Sequence, residues 1–193
     1  RELGVPTVLC GQLEGHPYRD VFSTVYSDDE EGGHFAALAM KERGRKDIVA
    51  VLGPQDNPAV VDRLRGYRAV LGEDLPDANV IYTGWNNGDG YQAMHQILAR
   101  EIAFDGVLCG SDRIAAGVIT ALNEAGLSVP ADVSVVGFDD HEVATRCVPA
   151  LTTVRQPLRE EGHMAANIAL DMIKGAEPTT SVMHMQLIQR DSL

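Results

Sequence analysis

Cysteine is scarce and scattered: Cys10, Cys109 and Cys147 are the only three in 193 residues, with no Cys-x-x-Cys and no close pair. An odd, widely spaced set excludes a disulfide framework and fits a reducing cytoplasm. Cys10 and Cys109 each end an apolar run, where a thiol reads as a small buried hydrophobe. Long hydrophobic runs are missing too. None approaches the roughly 18 residues of a membrane span, and no basic stretch followed by an apolar one opens the chain as a signal peptide would. Basic clusters are also absent, for 28 acidic residues face 16 dispersed Lys and Arg and leave a formal net charge of −12. Phosphate backbones are held by clustered cations, so this chain by itself should repel DNA. These absences describe a soluble, cytoplasmic protein with no membrane partner. Its 45% hydrophobic content is enough to bury one sizeable core or two small lobes.

The common catalytic constellations are missing as well. The sequence has no Gly-x-x-x-x-Gly-Lys-Ser/Thr phosphate loop, no Gly-x-Gly-x-x-Gly after a first strand, no His-Glu-x-x-His and no Gly-x-Ser-x-Gly turn. His16, His34, His95, His141, His163 and His184 are widely separated, with no pair at metal spacing. Neither a metal site nor a cofactor is expected. Asp28-Asp29-Glu30-Glu31 invites comparison with a calcium loop, but alternating ligands and a distal Glu are lacking. Acidic residues placed at a helix N-terminus are the better account. Ser111-Asp112 could be imagined as a nucleophile beside a carboxylate; capping a helix explains both side chains without chemistry. Asp139-Asp140, at the carboxyl end of a strand, could be an acid/base or metal-holding pair, or could accept hydrogen bonds from a ligand.

What is present is an alternation of short Val/Ile-rich runs with longer segments of helical period, the pattern of parallel strands joined by crossover helices. Ile48–Gly53, Asn79–Thr83, Gly106–Cys109 and Val133–Phe138 read as strands, apolar enough for a sheet covered on both faces. Val60, Leu64, Tyr67 and Leu71 form one apolar stripe on a helix from Pro58 to Leu71, which Gly72 ends. Other helices are expected over His34–Arg43, from an Asp89 cap through Arg100, from a Ser111 or Asp112 cap to Gly126, and over Arg159–Lys174. A final strand is expected over Val182–Ile188.

The stretch from Asn123 to Asp140, Asn-Glu-Ala-Gly-Leu-Ser-Val-Pro-Ala-Asp-Val-Ser-Val-Val-Gly-Phe-Asp-Asp, is followed by Pro149-Ala-Leu-Thr-Thr-Val-Arg-Gln-Pro157. Together these resemble the most characteristic segment of LacI/GalR-type repressors. Gly162, Ala165–Ala166 and Leu187–Ser192 continue the resemblance to the end. Upstream, Val5–Leu9, Asp28–Gly33 and Arg63–Leu71 match in order and spacing, so it covers essentially the whole chain.

The resemblance implies an α/β fold of doubly wound parallel sheets, as in type I periplasmic-binding-protein-like lobes. A small metabolite, most readily a sugar, is held between two lobes that the chain crosses three times. The match begins about midway through a full-length repressor. This implies a fragment without the DNA-binding headpiece, with a nearly complete carboxyl-terminal lobe (28–156 and 185–193) and a partial amino-terminal lobe (1–27 and 157–184). Apolar surfaces of that partial lobe would then be exposed or covered by a partner.

Residue by residue, the resemblance implies an effector site of Arg63, Trp85, Ser111, Asp139 and Gln156, and no catalytic residue. Arg63 stands three residues before Gly66-Tyr67, where the family has an arginine whose forked donors suit adjacent hydroxyls or a carboxylate. Trp85 stands where members often place an aromatic against the ligand, and an indole suits a sugar face or a purine. Asp139 is the first acid after Gly137-Phe138, and Ser111 stands where many members have Asn before Asp. Gln156, at the crossover, reaches the cleft or holds the hinge. Gly11 departs from sugar-responsive members that carry Asp there.

The implied partners are the effector and a second copy of the chain, with Arg113–Ala125, Asn87–Met94 and His141–Val148 as dimer surfaces. Operator DNA would be reached only through the headpiece. One alternative is a periplasmic sugar-binding protein of a transporter, which shares the fold. Another is a small α/β enzyme using Asp139 and Ser111.

Overall fold

The computed structural model describes residues 5–11, 21–100 and 102–193. His16 lies outside the described residues, as do Arg1–Gly4. In chain order the elements begin with β1 (Val8–Cys10), β2 (Ser23–Ser27), α1 (Asp29–Glu42), β3 (Ile48–Leu52), α2 (Pro58–Leu71) and β4 (Val80–Tyr82). They continue with α3 (Asn87–Leu98), β5 (Gly106–Cys109), α4 (Asp112–Glu124), β6 (Ser134–Asp139), α5 (Val143–Arg146) and β7 (Thr152–Arg155). The last are α6 (Leu158–Ile173), β8 (Thr180–Met183) and β9 (Gln186–Ile188).

The described chain forms two compact units, Arg1–Asp28 with Pro157–Met185 and Asp29–Gln156 with Gln186–Leu193. In the larger unit six strands run in the order β4-β3-β5-β6-β7-β9, the first five parallel and β9 antiparallel to β7. The smaller unit holds a parallel sheet of order β1-β2-β8, against which α6 packs. There Ser27 Oγ donates to the Glu161 carboxylate at 3.0 Å, and Thr24 Oγ1 donates to Thr180 Oγ1 at 3.0 Å.

All five residues of β3 are buried, as a central strand covered on both faces requires. Val49 and Val51 join Met94, Ile97, Ile114, Val118 and Leu122 in the core under α3 and α4. Ile48, Ala50 and Leu52, which alternate with them, are equally inaccessible. The helices pair closely, α1 with α2 and α3 with α4. Each pair meets through glycine: a Cβ on Gly33 would strike the Arg63 carbonyl, and one on Gly117 the Asn87 carbonyl. Only a residue without a side chain lets the two backbones come that close.

Several local expectations are corrected. The last apolar stretch is two strands, not one: Val182 lies in β8 of the smaller sheet and Gln186–Ile188 pairs with β7 of the larger, with His184 and Met185 between them. Asp89 is not the cap of α3. Asn86 caps it by accepting from Asp89 N–H at 3.0 Å, while Asp89 returns the bond to Asn86 N–H, a reciprocal capping box. α1 begins at Asp29, five residues before the expected start, because the acidic residues occupy its first turn, where the helix dipole favours them. Cys10 is exposed, whereas Cys109 is buried as expected.

Gly117→Ala is expected to force α3 and α4 apart and lower stability by about 1–3 kcal/mol, read as a fall in the urea midpoint at constant slope. The same change at Gly162 in α6, where nothing among the described residues lies within 4 Å of the new methyl group, should be neutral or slightly stabilising.

Candidate functional site

In the larger sheet β3 lies between β4 and β5, so the chain leaves β3 to one side and later returns to the other. Loops after the carboxyl ends of neighbouring strands diverge at such a reversal and leave a crevice. A cleft of about 460 Å³ opens there. It is lined by Asn57 after β3, Trp85 after β4, Ser111 after β5, and Asp139 and His141 at the end of β6, with Ala59, Arg63 and Arg113 from α2 and α4.

Arg63 is 4% exposed and held on several sides. Its Nε donates to Asp29 Oδ1 at 2.7 Å, and its Nη1 donates to the Gly110 carbonyl. The guanidinium carbon lies 3.8 Å from the centroid of the Phe138 ring and 6.0 Å from that of Trp85. Nη1 also stands 3.7 Å from Asp139 Oδ1. Nη2 donates to none of the described residues. Trp85 is half-buried over Gly53, where any Cβ would collide with the indole.

Asp139 closes β6 with φ 108°, and Asp140 follows at 56°, both in the left-handed region that costs non-glycine residues of order 1–3 kcal/mol each. Three groups hold this turn. Asp140 accepts from Arg155 Nε at 2.7 Å and Arg190 Nη2 at 2.6 Å. Asp112, fully buried at the start of α4, accepts from Thr153 Oγ1 at 2.5 Å and from the backbone N–H of His141 at 2.6 Å. Gln156 Nε2 donates to Asp139 Oδ1 at 2.5 Å.

The carboxylates differ in acidity as a result. Burial raises the pKa of Asp139, against the opposing pull of Arg63 and the Gln156 hydrogen bond. Burial acts to raise Asp140 too, but its hydrogen bonds from Arg190 and Arg155 outweigh it and hold the group below the usual range. Asp112 is pushed up to about 7 by burial, which the Thr153 and His141 bonds only partly offset.

Of the five residues proposed from sequence, Arg63, Trp85, Ser111 and Asp139 line the one cleft. Gln156 does not line it, and acts on Asp139 instead. Ser111 lines the cleft and caps α4 together, its Oγ accepting from Ile114 N–H at 3.2 Å. The Asp112 carboxylate accepts from the Thr153 hydroxyl and the His141 N–H and not from the Ser111 hydroxyl, so the two do not form a nucleophile and base pair here. Asn57, Ala59, Arg113 and His141 were missed. Their signal was position, one to four residues past strands or caps already identified. Among the described residues no group of three His, Cys, Asp or Glu is placed to hold a metal ion.

An acid with a raised pKa in the folded state binds its proton more tightly there than when unfolded. Stability from Asp112 is therefore fully present below about pH 4, the unfolded value, and falls as pH rises towards about 7. Asp112→Asn keeps the shape and lets the amide oxygen accept from His141 N–H while the amide nitrogen donates to Thr153 Oγ1. Relative to the parent, its stability should gain between pH 4 and 7 and stay level above, as measured by urea unfolding across that range. Asp112→Ala leaves buried partners unsatisfied and should lose about 1–3 kcal/mol at low pH.

The sequence profile of the periplasmic binding protein-like domain family matches residues 37–193. The HTH-type transcriptional repressor PurR of Escherichia fergusonii is 36% identical over 184 residues, covering 93% of this chain and 54% of that protein. The HTH-type transcriptional regulator CelR of Thermobifida fusca is 36% identical over 196 residues, covering 99% and 57% respectively. The chain thus spans little more than half the length of these curated relatives.

A solved complex of the transcriptional regulator CelR with cellobiose superposes with a TM-score of 0.91 at 36% identity, covering 100% of this chain and 60% of that one. A LacI family regulator from Enterococcus faecalis V583 with bound ribose gives 0.82 at 30% identity, covering 90% and 64%. No helix among the described residues is long and apolar enough to cross a membrane. The chain belongs to the periplasmic binding protein-like family, in the form that LacI-type transcriptional regulators carry as their effector-binding domain.

Proposed function

We propose that this chain is the effector-sensing and dimerisation part of a cytoplasmic LacI-type repressor, which binds a sugar and thereby controls DNA binding by a headpiece outside the chain. The larger unit corresponds to a nearly complete carboxyl-terminal lobe and the smaller to part of an amino-terminal one. The cleft is a binding site and not a catalytic one.

The observation that carries the reading is the pairing of Arg63 and Asp139 beside Trp85. Asp139 Oδ1 takes Gln156 and faces Arg63, while Oδ2 accepts from none of the described residues. A donor at Arg63 Nη2 and an acceptor at Asp139 Oδ2 beside an aromatic face suit a sugar. Vicinal hydroxyls both accept and donate, and the apolar face of the ring stacks on indole. The relatives solved with cellobiose and with ribose support the same class.

Signalling requires that the effector prefer one conformation of the whole repressor through differential contacts. The dimer is formed through α3, α4 and the segment 141–148, where Val148 is 81% exposed. With a net charge of −12, the chain reaches operator DNA only through the headpiece.

A thermal-shift screen against monosaccharides, disaccharides, sugar phosphates and purines tests the reading. A ligand at a hundred times its dissociation constant stabilises by about 2.7 kcal/mol, a rise of roughly 5–10 °C for this size. A sugar whose shift disappears in both Trp85→Ala and Asp139→Ala is the expected result. A shift that survives both substitutions would place the ligand elsewhere.

A further inference from the structure

Around the carboxyl ends of the strands the carboxylates already have donors. Asp29 holds Arg63 at 2.7 Å, Asp140 holds Arg155 and Arg190 at 2.7 and 2.6 Å, and Glu142 is paired with Arg146. Asp112 is sealed by Thr153 and a backbone N–H. Arg113, at the second position of α4, is different: it lines the cleft, is exposed, and has no carboxylate within 4.0 Å among the described residues. Its side-chain contact at hydrogen-bond distance among the described residues is to an imidazole, with Nη2 3.4 Å from His141 Nε2.

Val143 N–H donates to His141 Nδ1 at 3.3 Å, so the neutral ring carries its hydrogen on Nε2, and Arg113 and His141 face each other donor to donor. They gain from an anion placed against both, because charge-assisted hydrogen bonds to a guanidinium are among the stronger polar contacts. The adjoining amino end of α4, a helix of 13 residues, adds a favourable field for negative charge. The charged lining of the cleft points the same way. Of the two arginines in the lining, Arg63 is already paired with Asp29 and faces Asp139, which leaves Arg113 as the lining cation without a carboxylate within 4.0 Å among the described residues.

We propose that the effector carries an anionic group, a phosphate or a carboxylate, and that Arg113 and His141 bind it while Arg63, Asp139 and Trp85 hold the polyhydroxylated ring. This rests on the sugar-binding reading above. The effector class is then sugar phosphates or sugar acids, not neutral sugars. Neither Arg113 nor His141 is buried within the chain; since both begin segments assigned above to the dimer surface, the oligomeric state of each variant is measured beside its affinity, and a variant that loses affinity only by dissociating the dimer counts against the anionic subsite.

The test is calorimetric titration with matched pairs: glucose against glucose 6-phosphate and glucuronate, ribose against ribose 5-phosphate, cellobiose against cellobionate, and inorganic phosphate alone. At least one anionic member should bind tenfold or more tightly than its neutral counterpart. Arg113→Gln should remove most of that difference while leaving the neutral sugar's affinity unchanged, and His141→Gln should remove part of it.

Neutral sugars binding as tightly as their charged partners, with Asp139→Ala abolishing both, would overturn the anionic subsite and leave the sugar site standing. Inorganic phosphate binding as well as any sugar phosphate would also overturn it, since the anion would then be recognised without its ring. If no member of the panel, charged or neutral, binds in a way that depends on Trp85 and Asp139, both readings fall.

Discussion

The larger unit is organised around one buried cation. Arg63 projects from α2, reaches Asp29 on α1 and the carbonyl of Gly110 after β5, and sets its guanidinium carbon over the Phe138 ring of β6. A guanidinium largely removed from water needs an opposite charge close by and partners for its donors; Asp29 and the Gly110 carbonyl supply these for Nε and Nη1, and Nη2 is left for a ligand. Several elements are thereby fixed to one side chain at the end of the sheet where ligands bind. The same contact sets the electrostatics of the site, because Arg63 also faces Asp139 and opposes the rise that burial imposes on its pKa.

The second constraint is the turn after β6. Two consecutive non-glycine residues in the left-handed region store strain, and surrounding bonds must hold it. Asp140 is pinned by Arg155 of β7 and by Arg190 beyond β9, and the His141 amide by Asp112, whose burial is possible because Gly137 has no side chain to occupy the space. Asp139 is thereby presented to the cleft in a fixed orientation. Such preorganisation lowers the ordering cost of binding, so more of the contact energy appears as affinity.

Much of this architecture was legible in the sequence. Apolar runs gave β3, β5 and β6 nearly to the residue, and the Val60–Leu71 stripe gave α2, because a buried strand and a one-sided helix impose unambiguous periods. Val182–Ile188 was not legible as two strands: period and composition do not reveal that a chain leaves one sheet for another. Asp89 misled because Asn86 and Asp89 both suit a cap, and only geometry shows which of them precedes the helix. At the candidate site, Arg63, Trp85, Ser111 and Asp139, which line the cleft, stood out through their positions in a family pattern. Gln156 was found but its role was not, since its contact with Asp139 spans two strands. Arg113 and His141 lay outside that pattern, as solvated polar residues on loops and helix starts carry no periodic signal.

Trp85 is the only tryptophan in the chain, so its fluorescence reports on this cleft alone. The most direct test of the central claim is titration of that emission with a sugar found to stabilise the protein, repeated in Asp139→Ala. A saturable change in the parent, with the dissociation constant raised at least tenfold in the variant, is the predicted result. An emission that stays constant while the sugar demonstrably binds would place the ligand away from Arg63, Asp139 and Trp85, and would contradict the account.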